Sequence, residues 1–266
     1  MSFLFLGTAL ANMHRNGDYR NGSNGKALQA YLLGTVDFEA ALQLQRRLHY
    51  EVAGNRDQAC VVLCEHPSII TVGRQGSRAH ILCEPEQLRW RQWRVRWVNR
   101  GGGAWLHLPG QLAVYPILPL DRMELDLQGY LQKLNQVTES VLKEFSLRGQ
   151  VRADRSGIRV NDRLLAALGV AVKDWVSYFG IVFNINPALE FFRLVRCGGM
   201  REPPMTSLER ERRGRLQASL VRERFVEHLQ THFGFSRVSL FSDHAALRSD
   251  GKKRAGSRVA AGGLRE

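Results

Sequence analysis

The chain has 266 residues, 44% hydrophobic and 24% charged, enough for one globular domain with a substantial core or at most two small ones. Its 38 Lys and Arg outnumber its 25 Asp and Glu to give a net charge of +13, which favours polyanionic partners, nucleic acid or acidic proteins, without choosing between them. No apolar run approaches the ~18 residues needed to span a bilayer, and the opening Met1-Ser2-Phe3-Leu4-Phe5-Leu6 lacks the basic flank of a signal peptide, so the expectation is a cytoplasmic protein.

Residues 1–25, rich in Asn, Gly and Ser without periodicity, read as a disordered extension. Leu28–Leu33 predicts a strand. A helix follows, with Asp37 and Glu39 in its first turn and Val36, Ala40, Leu44 and Leu48 at i+4 spacing. Val61–Leu63 and Ile69–Val72 are β-branched runs split by a turn at His66-Pro67-Ser68, and Arg94–Val98 alternates as a half-buried strand. Leu112–Leu118 is a further strand, in which Pro116 suggests an edge or a bulge. Leu127, Leu131, Leu134, Val141 and Phe145 mark a long amphipathic helix. Leu164–Val172 and Tyr178–Ile185 predict a hairpin, and Leu216, Leu220, Leu229 and Phe233 a last helix. Such a mixture predicts one α+β domain over 26–241, a mixed β-sheet flanked by helices. A polar, basic, disordered tail fills 242–266, and from residue 251 onward five basic residues against Glu266 put +4 of the charge there.

Four cysteines in a chain of this length do not form a disulfide scaffold. Cys60 and Cys64 lie in the apolar run Ala59–Cys64 and read as small core residues, with too few neighbouring ligands for a metal. Cys197 differs. Arg196 precedes it and Gly198-Gly199 follow it, and nearby positive charge favours a thiolate while glycines leave room for an acyl group. The other unusual stretch is Arg100-Gly101-Gly102-Gly103-Ala104-Trp105-Leu106-His107-Leu108-Pro109-Gly110-Gln111, read as a loop between strands. Consecutive glycines let backbone N–H groups approach a ligand, and a basic residue at the mouth can meet a carboxylate or phosphate. A flexible hairpin loop is the plainer alternative. It is no P-loop, since Gly-Lys-Ser/Thr is absent, and no Gly-x-Gly-x-x-Gly opens a helix there.

Taken together these segments resemble the lipoyl(octanoyl) transferase family, relatives of lipoate and biotin protein ligases. The likeness runs over about residues 27–235. It rests on Tyr31–Phe38, on Glu65-His66-Pro67 leading to Thr71-Val72-Gly73-Arg74, and on the glycine stretch continued through Pro109–Leu118. Ala167-Leu168-Gly169-Val170, Gly180–Asn184 and Cys197 complete it. The resemblance implies a biotin/lipoate protein ligase-like fold and a two-step transfer. A Cys197 thioester would take octanoyl, or a similar medium-length chain, from octanoyl acyl carrier protein. A lysine of a lipoyl domain, on a dehydrogenase E2 subunit or the glycine cleavage H protein, would then accept it. No cofactor, neither ATP nor metal, is implied, and neither nucleic acid nor membrane is a partner. The acyl site would be lined by Arg100, Gly101, Gly102, Gly103, Ala104, Trp105, Leu106 and His107, with Ala167, Leu168 and Gly169 on one strand and Gly180, Ile181 and Val182 on the next.

The sequence departs from that pattern at three places. The family's lysine before the Ala-Leu-Gly strand is replaced by Leu164, which can only desolvate a thiol and raise its pKa. Arg163 beside it should point to the opposite face, leaving His107 and Arg196 to support a thiolate, with His107 favoured as a base near neutral pH. Trp105 and Leu108 stand for smaller residues, and Phe179 for the family's usual histidine. The alternative function is therefore a catalytically impaired relative that binds acyl carrier protein or lipoyl domains. An ATP-dependent ligase would want the missing lysine, and a nucleic-acid module would want a stacking or helix-turn-helix signature.

Overall fold

The structure, a computed structural model, describes residues 26–151, 157–197 and 204–247. In chain order it forms β1 (Ala27–Thr35), α1 (Phe38–Gly54), β2 (Gln58–Glu65), β3 (Ile69–Val72), α2 (Pro85–Trp90), β4 (Arg94–Trp97), β5 (Ala104–His107), β6 (Gln111–Ile117) and α3 (Leu127–Glu144). The second half carries β7 (Gln150–Val151), β8 (Gly157–Val160), β9 (Arg163–Lys173), β10 (Val176–Asn184), α4 (Leu208–Arg212), α5 (Ala218–Phe233) and β11 (Arg237–Phe241). One mixed sheet of eight strands runs in the order β11-β1-β2-β6-β10-β9-β8-β7, and β4-β3-β5 form a second, smaller sheet.

Period-two alternation assigns each central strand to two cores. On β2, Ala59, Val61 and Leu63 face the layer of α3 and α5, whereas Cys60, Val62 and Cys64 face α1. Cys60 and Cys64 are thus core residues, with burial pushing the Cys60 thiol up to about 12. On α1, Leu44 and Leu48 are fully buried, each worth roughly 1.5–3 kcal/mol. Asp37 is the N-cap of α1 rather than a first-turn residue: its carboxylate accepts the Glu39 N–H at 2.9 Å and also pairs with Arg94 at 2.6 Å, tying the small sheet to α1. A third core fills the space between the small sheet, β9 and the segment 189–197, and it contains Leu164 and Cys197.

Three expectations change. Pro116 is in no edge strand, since β6 lies between β2 and β10. Its missing N–H is tolerated because the ladder to β10 ends at the Val114–Ile181 pair. The stretch 100–111 is not a loop throughout: Ala104–His107 forms β5, antiparallel to β3. Residues 242–247 are placed, with Ala246 and Leu247 packed on the α1-side core and the His244 ring on Tyr31. The expected extension 1–25 and the rest of the tail lie outside the described residues. Among the described residues no helix is long and apolar enough to cross a membrane.

The segment after Cys197 is fastened to β9. Leu164 N–H donates to Pro204 O and Thr206 N–H to Leu164 O, both at 2.9 Å. Glu211, its side chain 3% exposed, receives Arg163 at 2.8 Å and bonds from Thr206 and Asn161. Burial pushes its carboxyl up, but those hydrogen bonds and the Arg163 charge outweigh it and hold the group below the usual glutamate value. A depressed carboxylate pKa stabilises the fold above pH 4.5, its ordinary value, and that contribution is lost as pH falls through the folded value. Glu211→Gln should cost about 1–3 kcal/mol at neutral pH in denaturant melts. It should also flatten the loss of stability expected of the native protein below about pH 4.5. An unchanged midpoint would contradict the brace.

Candidate functional site

Between the two sheets lies a cavity of about 270 Å³, into which Cys197, Leu164, Arg100 and His107 all face. Of the other predicted lining residues, Gly102, Gly103, Ala104, Trp105, Ala167, Leu168, Gly169, Gly180 and Val182 are there too. Gly101, Leu106 and Ile181 are not. Ile181 sits between Gly180 and Val182 on β10, and alternation turns it into the opposite core. Leu106 is buried behind β5, though its amide N–H donates to the Cys197 sulfur. Phe38, Gln75, Tyr115 and Phe179 also line the cavity, and spacing had not singled out the first three.

The glycine stretch is shaped by Arg100. Its guanidinium is only 9% exposed by residue and turns back into its own loop. Nη1 donates to Gly101 O at 2.9 Å and Gly103 O at 3.2 Å, and Nη2 donates to Thr71 Oγ1 at 2.8 Å and Thr71 O at 3.3 Å. None of these four acceptors is a carboxylate. Burial lowers its pKa to about 10, against the opposing effects of Tyr115 and Cys197, so the side chain is charged at neutral pH. Gly102 takes φ +80°, the left-handed conformation that lets the loop fold around the guanidinium at little cost. At Gly180 an added Cβ would stand 2.3 Å from Val114 O, so only glycine allows β10 this close to β6.

The other polar groups are equally fixed. His66 Nδ1 donates to Val36 O at 2.8 Å, and its Nε2, 2.9 Å from Tyr115 Oη, accepts that hydroxyl. Burial lowers His66 to about 4. His107 Nε2 is 3.1 Å from Thr71 Oγ1. Burial, then the His66 and Arg100 charges, drive its pKa well below the histidine norm. His107 therefore does not titrate near neutral pH, and carries no charge with which to support a thiolate. Arg196 is exposed.

Cys197 is 4% exposed and held beside β5 by a parallel bridge to Ala104. Burial pushes its thiol up to about 12, against the Leu106 N–H and the Arg100 charge, which both favour the thiolate. The cation that favours the thiolate is thus Arg100, expected only as a lining residue, rather than His107 or Arg196. Cys197 also borders a second, outer cleft of about 590 Å³, where Arg193, Arg210, Glu190 and Met205 lie. Its own continuation, Gly198-Gly199, lies outside the described residues. Among the described residues no three His, Cys, Asp or Glu side chains come together as a metal site.

A mixed sheet carrying a buried cysteine at the junction of an inner cavity and an outer cleft, with a charged arginine in a glycine-rich wall, defines an α+β domain with a cysteine-bearing pocket. The chain belongs to the lipoyl protein ligase A/B catalytic domain family, whose model matches residues 37–230. It is 36% identical over 201 residues to an octanoyltransferase of Syntrophobacter fumaroxidans, covering 76% of this chain and 88% of that one. To an octanoyltransferase of Geobacter metallireducens it is 37% identical over 176 residues, covering 66% and 79%. In fold it is similar to a lipoate-protein ligase A bound with ATP, with TM-score 0.62 and 13% identity over 85% of this chain and 93% of that one. A bipartite lipoate protein ligase from Thermoplasma acidophilum gives TM-score 0.61 and 12% identity over 85% and 91%.

Leu164 is 2% exposed and shares the cavity wall with Cys197. An ammonium placed there should lower the thiol pKa by about one unit or more. Leu164→Lys should therefore raise the rate of Cys197 alkylation by iodoacetamide at pH ~7 about tenfold, read by peptide mass spectrometry. An unchanged rate would show that the position does not act on the sulfur.

Proposed function

We propose that this chain transfers an octanoyl group, through a thioester on Cys197, from acyl carrier protein to a lysine of a lipoyl domain. The observation that carries the reading is the position of Cys197, which borders both the inner cavity and the outer cleft. An acyl chain held inside and a protein delivering or receiving it outside would meet at the sulfur. The relatives named octanoyltransferase support the chain length and the reaction. The net charge of +13 suits acidic protein partners.

In the first step the Cys197 thiolate attacks the carbonyl carbon of the donor thioester. The carrier's C–S bond breaks, and the proton given up by Cys197 ends on the departing carrier thiol. In the second, an uncharged lysine amine attacks the Cys197 thioester. The C–N bond forms as the C–S bond breaks, and the amine's proton returns to Cys197. Both acyl transfers start from an activated thioester, so neither consumes ATP. Arg100 supplies fixed positive charge to the thiolate and to the tetrahedral oxyanion, and the Leu106 N–H a further donor. His107 is a positioning residue: Thr71 Oγ1 accepts from Arg100, leaving its hydroxyl proton for the uncharged His107 ring.

A thiol near 12 makes ionisation at pH 7 cost on the order of 7 kcal/mol. That is a large share of the roughly 17 kcal/mol barrier of a step running at about 1 s⁻¹, so the reading relies on Arg100 and the Leu106 N–H for the thiolate stabilisation that the family's lysine would give. The second reading is a binding protein that keeps the fold without the chemistry, and Leu164, an apolar residue in the cysteine's own wall, favours it.

Intact-mass spectrometry after mixing with octanoyl acyl carrier protein, without ATP, separates the two. The transferase should gain one octanoyl mass that is absent in Cys197→Ala and is discharged when a lipoyl domain is added. A folded protein that binds the carrier but gains no mass would establish the binding reading instead.

A further inference from the structure

One side chain lining the cavity beside Cys197 also borders another hollow. Phe179 lines the inner cavity and, equally, a groove of about 540 Å³ formed by Leu42, Gln45, His49, Trp97 and Tyr178. That groove opens to solvent past Tyr50, which is 80% exposed. Phe179 stands away from the sulfur. Cys197 lies against Ala104 and Leu106 in the small-sheet core, whereas Phe179 belongs to the α1-side core. A run of ring contacts leads to it from His107, through His66 at 5.6 Å and Tyr115 at 5.9 Å, to Phe179 at 6.1 Å.

The backbone at this point is unusual. Phe179 has φ +55°, a conformation that costs a bulky residue of order 1 kcal/mol or more. It is held there by its N–H donating to Gln45 Oε1 at 2.9 Å, reaching across from α1. Gln45 itself is 1% exposed and lines the groove. The residue, 3% exposed, lies between the two hollows that it lines. Strain persists where the surroundings over-determine it, and such sites gather at functional positions.

We propose that Phe179, pinned by Gln45, is the end wall that sets the acyl chain length this protein accepts. Removing the ring joins the cavity to the groove and lets a longer chain run through between Leu42 and Tyr178. This rests on the reading of the inner cavity as the acyl site, and extends it by naming the residue at which the chain stops. Each further methylene buried in an apolar channel tightens binding about fourfold. The gain ends where the chain meets a wall, so the position of the wall is written in affinity against carbon number.

The test is calorimetric titration of straight-chain fatty acids from six to sixteen carbons into native protein, Phe179→Gly and Phe179→Ala. Glycine accepts φ +55° without strain, and alanine keeps a Cβ, so the pair covers a loss of fold in either one. Native affinity should rise with chain length and then break. Both variants should move the break at least two carbons longer and bind the twelve-carbon acid at least tenfold tighter than native protein does. Breaks at the same carbon number in all three would overturn the proposal, as would absence of saturable binding to native protein at any length. Because no acyl transfer is involved, a protein that forms no Cys197 adduct would still show or fail to show the shift. The fate of the wall is thereby separated from that of the chemistry.

Discussion

A guanidinium buried without a carboxylate organises this molecule. Taking such a charge out of water costs several kcal/mol even after relaxation, and among the described residues Arg100 is compensated by carbonyl and hydroxyl oxygens from its own loop and from Thr71. That requirement explains the glycines. The carbonyls of Gly101 and Gly103 must converge on one point, and Gly102 must pass through the left-handed region to let them. It also explains why Thr71 and His107 are fully buried polar residues in otherwise apolar strands, since each completes the pattern around the arginine. Dipoles of carbonyl groups neutralise a cation less completely than a carboxylate would. The remaining positive potential falls on the cavity and on the Cys197 sulfur.

The rest of the site can be understood as two opposed influences on that sulfur. Burial by Leu164, Trp105 and the small sheet favours the neutral thiol, and by itself places it far above neutral pH. Arg100 and the Leu106 amide favour the anion. The dryness that makes the resting thiol inert also strengthens Arg100 as an electrostatic partner once charge develops. An inert resting thiol beside a fixed cation suits a nucleophile used only when a thioester is already in place. Fastening of the following segment through Leu164, Thr206 and Glu211 keeps the outer cleft registered on the same sulfur.

Elements with a strong local pattern were legible in the sequence. The i+4 leucines of α1, the β-branched run of β2 and the two strands around Asp174 all fall where the sequence pattern puts them. Asp174 and Trp175, at φ +50° and +58°, form the two-residue hairpin turn that joins those strands. The glycine stretch and Cys197 were legible as candidates because their residue types are unusual in any other role. What was not legible depends on three-dimensional closure. β5 is too short and too glycine-flanked to show a period. Arg100 is nearly a hundred residues from Cys197, so only the fold reveals it, rather than adjacent Arg196, as the supporting cation. The depressed pKa of His107 comes from burial against His66 and Arg100, which no spacing encodes. Phe179 was visible as an odd residue, but its position between two hollows was not.

The central claim is that Arg100 is the charge on which Cys197 chemistry depends. The direct measurement is the single-turnover rate of octanoyl adduct formation against pH for native protein, Arg100→Lys and Arg100→Met. The account predicts that Arg100→Met is slower by about tenfold or more across the neutral range, with its profile displaced to higher pH, and that Arg100→Lys, keeping the charge, lies nearer the native curve. Three superimposable profiles would contradict it and require another source of thiolate stabilisation.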